Sequence, residues 1–252
     1  MPAVPPWLTF LLLAAAGFVA SVVNTLAGGG SFLTLPLLIF LGLPAAEANG
    51  TNRLGVVAQN LAAVWGFDRK GVMDWRLALR ASVPAAAASA LGAWLALEVG
   101  DREFRRILAF LMIAVTLWTL VSPVLSRGGA SAVPRPPRPR LAFWMFVAAG
   151  LYGGFVQAGV GFLILAATTL AGLDLVRGNA VKVLVVLLVT VVALALFAWD
   201  GKVRLGEGLA LAGGSVAGSL VGVRLAVVKG ERWMRWFVTA AVVVFAILLW
   251  TE

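Results

Sequence analysis

The chain contains no cysteine and no histidine among its 252 residues. Disulfides and thiolate nucleophiles are therefore excluded, and the usual side-chain ligands of haem and zinc are missing. A histidine-activated serine is excluded on the same ground, and no apolar segment carries the pair of acids that could hold a metal. We predict that the chain is not an enzyme, and we expect neither a metal site nor a cofactor.

Charge is scarce as well. Only 12% of the residues are charged, 62% are hydrophobic, and the mean hydropathy is +0.99. A soluble domain needs more polar surface than this. Several apolar runs approach the roughly 20 residues that cross a bilayer as a helix, and they lack the alternation of outer-membrane strands. The composition predicts an all-α integral membrane protein, multi-pass in the cell membrane, which is the inner membrane in a bacterium.

We count ten apolar segments, five in each half of the chain. They are residues 7–27, 31–43, 48–67, 81–99, 107–125, 141–160, 162–173, 179–199, 209–228 and 236–250. The first transmembrane repeat covers 1–125 and the second covers 141–252. Between them, residues 126–140 form a proline- and arginine-rich stretch that is typical of an extended surface linker.

The two halves are related by sequence. A shift of 130 positions places Gly42 on Gly172 and Asn49 on Asn179, and the register holds over about sixty residues. Nearer the N-terminus the shift becomes 133, which pairs Gly28 with Gly161. In both halves the second segment is too short to cross a hydrocarbon core of about 30 Å as a helix. Each repeat therefore contains one short or broken segment.

The basic residues report orientation and do not indicate nucleic-acid binding, although the net charge is +9. If all ten segments cross, twelve Lys or Arg residues lie in loops on the side of the linker and five lie opposite. The positive-inside rule then places the linker in the cytoplasm, and five crossings per half predict inverted repeats. If the short segments enter and return on one side, the division is ten against seven, and this alternative stays open.

A polar, glycine-rich break precedes each short segment. In the first half Asn24 is followed by Gly28, Gly29, Gly30 and Ser31, and in the second half the corresponding residues are Gln157, Gly159 and Gly161. Successive glycines favour unwinding, and irregular backbone at membrane depth is tolerated where protein or water surrounds it. The helix N-termini at such breaks favour anions. The alternative is that the glycines only permit close packing or a tight turn.

A second polar cluster follows each short segment. Asn49, Asn52 and Arg53 share one helix face in the first half, and Asn179 and Lys182 share the matching face in the second. A cation within a membrane span is costly and marks a functional site by default. The alternative is that both cations lie in the first helical turns and reach the lipid headgroups.

These clusters define the predicted substrate site, in which a small anion meets two cations, amide donors and helix N-termini. Its residues are Asn24, Gly28, Gly29, Gly30, Ser31, Asn49, Asn52, Arg53, Gln157, Gly159, Gly161, Asn179 and Lys182. Among the acids only Glu47 and Asp174 lie close enough to couple transport to another ion. The second break is weaker than the first, so the first half is expected to supply more contacts.

Residues 17–55, with Asn24, the Ala-Gly-Gly-Gly-Ser stretch of 27–31 and the Ala-Asn-Gly-Thr-Asn-Arg stretch of 48–53, resemble the signature of the TauE/SafE family. The resemblance implies a permease for small sulfur-containing anions such as sulfite or an organosulfonate. We therefore expect transport by alternating access. A passive anion channel is the nearest alternative, and a membrane enzyme or an assembly subunit is less favoured. The oligomeric state, including a homo-oligomer, stays open.

Overall fold

The computed structural model describes residues 5–121 and 138–251, and within these ranges every regular element is an α-helix. The predicted all-α class is confirmed. The helices are α1 Pro6–Leu26, α2 Ser31–Phe40, α3 Ala45–Arg69, α4 Trp75–Glu98, α5 Asp101–Val121, α6 Pro139–Phe155, α7 Val160–Leu170, α8 Leu175–Trp199 and α9 Leu205–Thr251. The predicted linker at 126–140 lies outside the described residues except for its last three positions.

Four stretches in the described ranges are long and apolar enough to cross a membrane: Trp7–Leu26, Trp75–Glu98, Leu175–Trp199 and Leu205–Lys229. Helices α2 and α7 are apolar but have only 10 and 11 residues. At 1.5 Å per residue each is about 15 Å long, half of a hydrocarbon core. The prediction of one short apolar segment in each half is confirmed.

The duplication is visible in the helix bounds and in the turns. Helices α3 and α8 have 25 residues each and begin 130 positions apart. The turns before and after them contain glycines with positive φ at equivalent positions, Gly42 and Gly172 (96° and 93°) and Gly71 and Gly201 (68° each). Only glycine adopts this left-handed conformation readily. The 130-residue register found in the sequence is therefore also a register of backbone conformation.

One predicted boundary is wrong. Residues 209–228 and 236–250 were predicted as separate segments, but both lie on α9, which runs without interruption for 47 residues. The stretch that joins them, 229–235, contains one glycine and no proline, and its remaining residues are compatible with a helix. Its charges, Lys229 among them, suggested a loop, but charge alone does not terminate a helix.

The helices of one half pack mainly against those of the other, and the packing is reciprocal. Helix α1 lies along α9 and α6 lies along α4, while α3 contacts α9 and α8 contacts α4. Glycines bring the backbones into contact, with Gly214 against the carbonyl of Ala14 and Gly154 against the carbonyl of Ser89. Small residues permit such close helix contacts in membrane proteins.

The two breaks meet at the centre of this arrangement. Gly28, with φ of 103°, lies against Gly161, and a Cβ built on Gly28 would be 2.5 Å from the Gly161 carbonyl carbon. In backbone conformation the counterpart of Gly28 is Gly159, whose φ is 78°, although the sequence shift paired Gly28 with Gly161. The glycines therefore permit a backbone contact between the halves as well as a turn in each.

We expect Gly161→Ala to reduce the yield of folded protein strongly, because its methyl group would overlap the Gly28 backbone. Gly213→Ala is the matched control, since a Cβ there meets nothing within 4 Å. The measurement is the fraction of detergent-extracted protein that elutes as a monodisperse peak. Equal yields for the two variants would contradict the assigned contact.

Candidate functional site

The guanidinium of Arg53 is completely buried and holds the end of helix α6. Its Nη1 donates to the carbonyl of Gly153 at 3.0 Å and to Oε1 of Gln157 at 3.1 Å, and its Nη2 donates to the carbonyl of Gly154 at 2.6 Å. These carbonyls belong to the last turn of α6, which has no continuing helix to supply donors. Arg53 of the first half therefore caps the broken helix of the second half.

Lys182 does the same in the opposite direction. Its side chain is 1% exposed, and its Nζ donates to the carbonyls of Asn24 at 2.8 Å and Thr25 at 3.2 Å. Both carbonyls lie in the last turn of α1. A cation at a helix C-terminus also interacts favourably with the helix dipole. The alternative that these two cations reach the lipid headgroups is wrong for this structure.

Two asparagines complete the reciprocal caps. Asn49 donates from Nδ2 to the carbonyl of Phe155 at 2.8 Å, and Asn179 donates from Nδ2 to the carbonyl of Leu26 at 3.1 Å. They are the residues that the 130-residue shift pairs. Each half thus supplies one asparagine and one cation to the helix end of the other, and both predicted clusters are brought to the centre of the molecule.

The charge of this centre is positive. No Asp or Glu is among the buried residues of the described ranges, so Arg53 and Lys182 face helix carbonyls and no carboxylate. Arg53 also lies over the ring of Phe197, with Cζ 4.7 Å from the centroid. Its Nε has no hydrogen-bond partner in the described part of the chain. Helix-end dipoles carry only about half a charge each, so an anion is favoured here.

A polar cavity lies beside the first break, between α1, α2, α3 and α9. Its volume is about 10 Å³, close to the minimum for one water molecule. Its polar lining comes from side chains of both halves: Ser31, Thr34, Asn52, Gln59 and Ser215. In this conformation the cavity is therefore closed to any larger solute.

The polar face predicted for α3 contacts two different regions. Asn52 lines the cavity, whereas Asn49 and Arg53 bind the C-terminal end of α6. Asn52 turns away from Arg53 and Asn49, and its Nδ2 donates to Ser31 Oγ at 3.1 Å. The hydroxyl of Thr34 donates to Oδ1 of Asn52 at 2.6 Å. Ser31 and Asn52, which the sequence placed in the site, are thus joined in the cavity wall, about 100° around α3 from Arg53.

The second half has no equivalent polar wall. A shift of 130 positions takes Thr34, Gln59 and Ser215 to Ile164, Val189 and Ala85, the last by shifting back. All three counterparts are buried in one apolar cluster. The asymmetry expected from the weaker second break is therefore much larger in the packed structure than the glycine pattern indicated.

The remaining predicted residues lie near these groups or away from them. Gly30 lines the cavity, and Oε1 of Gln157 accepts from Arg53 and from the Thr190 hydroxyl. Gly29 and Gly159 precede the short helices. Asn24 takes part in the α1 cap through its backbone carbonyl, which accepts from Lys182.

Neither predicted coupling acid belongs to the centre. Glu47 pairs with Arg204, with Oε2 2.7 Å from Nε, and this hydrogen bond raises the pKa of Arg204 above its ordinary value. Asp174 caps α8 by accepting from the amides of Val176 and Arg177 at 2.9 Å. Glu47 thus joins the two halves, whereas Asp174 acts within its own.

Sequence reasoning missed Ser21, Thr34, Gln59, Ser215 and Ser219. A signal existed for Gln59, since it lies seven residues after Asn52 and so on nearly the same face of α3. The hydroxyls carried no such signal, because serine and threonine are common in membrane helices and often bond to their own backbone.

A family model described as "Sulfite exporter TauE/SafE" matches residues 13–249. The chain belongs to this family. The TauE/SafE chain is 30% identical to a probable membrane transporter protein of Haemophilus influenzae over 89% of its own length and 88% of the relative's. It is also 30% identical to ORF9 of a Sinorhizobium species, described in the same words, over 89% and 85% of the two lengths. The probable membrane transporter protein YfcA of Escherichia coli K12 is 31% identical over 89% and 84%.

No solved structure matches this TauE/SafE chain significantly. The family and its relatives identify the chain as a multi-pass protein of a membrane transporter family, in agreement with the apolar helices. The predicted family membership and membrane location are confirmed. The name of the family concerns sulfite, and the names of the three relatives state no substrate.

We expect Arg53→Met to destabilise the protein by at least about 2 kcal/mol, because two buried α6 carbonyls and Gln157 lose their charged donor. The same change at the exposed Arg76 is the control and should leave stability unchanged within about 0.5 kcal/mol. Thermal unfolding in detergent, followed by the loss of the monodisperse peak, compares them. Equal midpoints would exclude a capping role for Arg53.

Proposed function

We propose that this TauE/SafE protein is a permease that moves a small sulfur-containing anion, such as sulfite or an organosulfonate, by alternating access. The observation that carries the proposal is the buried centre, in which two cations meet no described carboxylate, together with a polar cavity beside the first break. An anion is the solute that such a field attracts most strongly. The family name supports sulfite as the first substrate to test.

In this proposal the first half supplies most direct contacts. Ser31, Asn52 and the N-terminal end of α2 at Gly28 to Gly30 contact the anion, and Gly159 to Gly161 supply backbone amides from the second half. Arg53 and Lys182 supply positive potential from the two capped helix ends, with Asn24, Asn49, Asn179 and Gln157 around them. Neutral donors and nearby charge together replace the water that the anion loses.

We also propose that the two repeats are inverted, with the chain continuing across the bilayer at the short helices α2 and α7 instead of returning, so that the first half crosses five times. Two contacts support this topology. Glu47 pairs with Arg204, and the amide of Arg138 donates to the carbonyl of Leu170 at 3.0 Å. If α2 and α7 returned to the side from which they start, each contact would join residues on opposite sides of the membrane. If the chain continues across at both short helices, each contact joins residues on the same side.

Alternating access is favoured over a passive channel because the described conformation is closed. The cavity of about 10 Å³ has no room for sulfite, so a substrate enters only after the halves move. The halves meet along glycine-lined helix contacts and through the reciprocal caps, which gives them a surface on which to rotate. Glu47, the acid that joins the halves, remains the proposed coupling residue, and Asp174 is the second candidate.

Purified protein in liposomes is expected to take up labelled sulfite with saturation at modest substrate concentration. A preloaded unlabelled anion should accelerate the uptake, because counterflow is a property of a carrier and not of a pore. Empty liposomes are the control. Flux that rises linearly with concentration and shows no counterflow would contradict the permease proposal and favour a channel. Absence of flux with every anion tested would contradict both the permease and the channel.

The native absence of cysteine makes the topology directly testable, since introduced thiols have no background. With inverted repeats, the pair Glu47→Cys and Arg204→Cys should be joined by a short bifunctional thiol reagent. Glu47→Cys with Lys70→Cys is the control pair and should not be joined, because the length of α3, 25 residues, separates them. Labelling of positions 47 and 204 from opposite sides of intact vesicles would restore the re-entrant alternative.

A further inference from the structure

Two side-chain amides in the cavity wall have their oxygen atoms occupied by hydroxyl groups. The Ser21 hydroxyl donates to Oε1 of Gln59 at 2.6 Å, and the Thr34 hydroxyl donates to Oδ1 of Asn52 at the same distance. We propose that these hydroxyls orient Gln59 and Asn52 so that their N–H groups form an anion subsite, with Gln59 as the residue that determines specificity. The inference rests on the proposed function and names the recognition chemistry of that site.

The orientation of the two amide groups follows from the number of hydrogen-bond donors and acceptors that each group has. An amide group has two acceptor positions on oxygen and two donors on nitrogen, and a hydroxyl has one donor. When a hydroxyl donates to the amide oxygen, the NH₂ group must point the other way. Gln59 is 4% exposed, lines the cavity, and its Nε2 donates to no described residue. The two donors on Nε2 are therefore available to a ligand or a water molecule in the cavity.

The wall therefore presents several free donors, and each of its two amide oxygens already accepts from a hydroxyl. Asn52 uses one of its N–H groups on Ser31 Oγ, which leaves its second N–H, the Ser31 hydroxyl hydrogen and the two Gln59 donors available. The hydroxyl of Ser215 is directed to the carbonyl of Gly17 at 3.4 Å. A ligand that offers several acceptor oxygens and no donors matches this wall, which is the chemistry of a small, fully ionised oxyanion.

The cavity wall itself carries no charged side chain. The nearest cations are committed to the α1 and α6 carbonyls, so they stabilise an anion through the field while the amides make the contacts. Neutral donors release an anion more readily than a direct ion pair does, since no pair of opposite charges has to be separated in a poorly solvated site. This suits a transporter, whose substrate must leave as well as bind.

The second half of the chain shows which residues the equivalent helix positions can hold. At the positions that correspond to Gln59 and Thr34 it has Val189 and Ile164, both buried in a well-packed apolar cluster. The same helix scaffold is therefore compatible with an apolar residue at each position. Replacement of Gln59 by an aliphatic residue is expected to preserve the fold, so the contribution of its amide group to anion binding can be measured in folded protein.

The experiment measures anion affinity in detergent, with inorganic sulfite and sulfate as probes, by the rise of the unfolding temperature with anion concentration. We expect Gln59→Leu to weaken binding by about tenfold to a hundredfold, the range for hydrogen bonds to a charged partner. Thr34→Val should weaken it less, because it only frees the Asn52 amide to rotate. Thr168→Val is the matched control, since the Thr168 hydroxyl bonds to its own helix at the Leu165 carbonyl.

The outcomes separate the subsite from the function. Wild-type protein that responds to no anion would overturn the proposed function and the subsite together. If the wild type responds to sulfite and both Gln59→Leu and Thr34→Val bind it equally tightly, the proposed subsite is overturned but the proposed function is not. A graded loss in Gln59→Leu and Thr34→Val, with Thr168→Val equal to wild type, supports it. If Gln59→Leu does not elute as a folded peak, the comparison of Thr34→Val with Thr168→Val decides.

Discussion

The structure depends on satisfying the carbonyl groups at the ends of two helices that stop in the buried interior of the protein. Backbone groups without partners cost several kcal/mol each where water is absent. The ends of α1 and α6 therefore require donors, and the protein obtains them from the other half, through Asn179 and Lys182 for α1 and Asn49 and Arg53 for α6. The breaks, the buried cations and the contact between the repeats are consequences of this single requirement.

This requirement changes the meaning of the buried cations. Their pairing with glycine breaks suggested direct contact with a substrate, and their contacts in the closed protein are with helix carbonyls instead. The positive charge is still present, because a carbonyl dipole offsets only part of it and no described carboxylate is buried nearby. Arg53 and Lys182 thus connect the stability of the breaks with the attraction of an anion. A movement of the halves that loosens one cap would expose a charged donor at the same time.

Much of this architecture followed from the sequence. Composition predicted a helical membrane protein, and the 130-residue shift identified the paired residues Asn49 and Asn179 that later proved to occupy equivalent caps. Periodicity was less informative about α3, since a polar face about 100° wide can contact two different neighbouring helices. Asn52 and Arg53 are adjacent in sequence, yet one meets Ser31 and the other meets Gly154. The continuity of α9 was also missed, because a short charged stretch is compatible with either a loop or a helix.

By itself the sequence determined the class of protein, the duplicated register, the position of each break and the scarcity of acids, because these depend on local composition and on spacing along the chain. Only the tertiary structure decided which carbonyls each cation holds and where the polar cavity lies. Those features depend on contacts between residues more than a hundred positions apart, such as Arg53 with Gly154 and Lys182 with Asn24. Such partners are selected by the packing of α1, α6 and the short helices, and no local pattern encodes that packing.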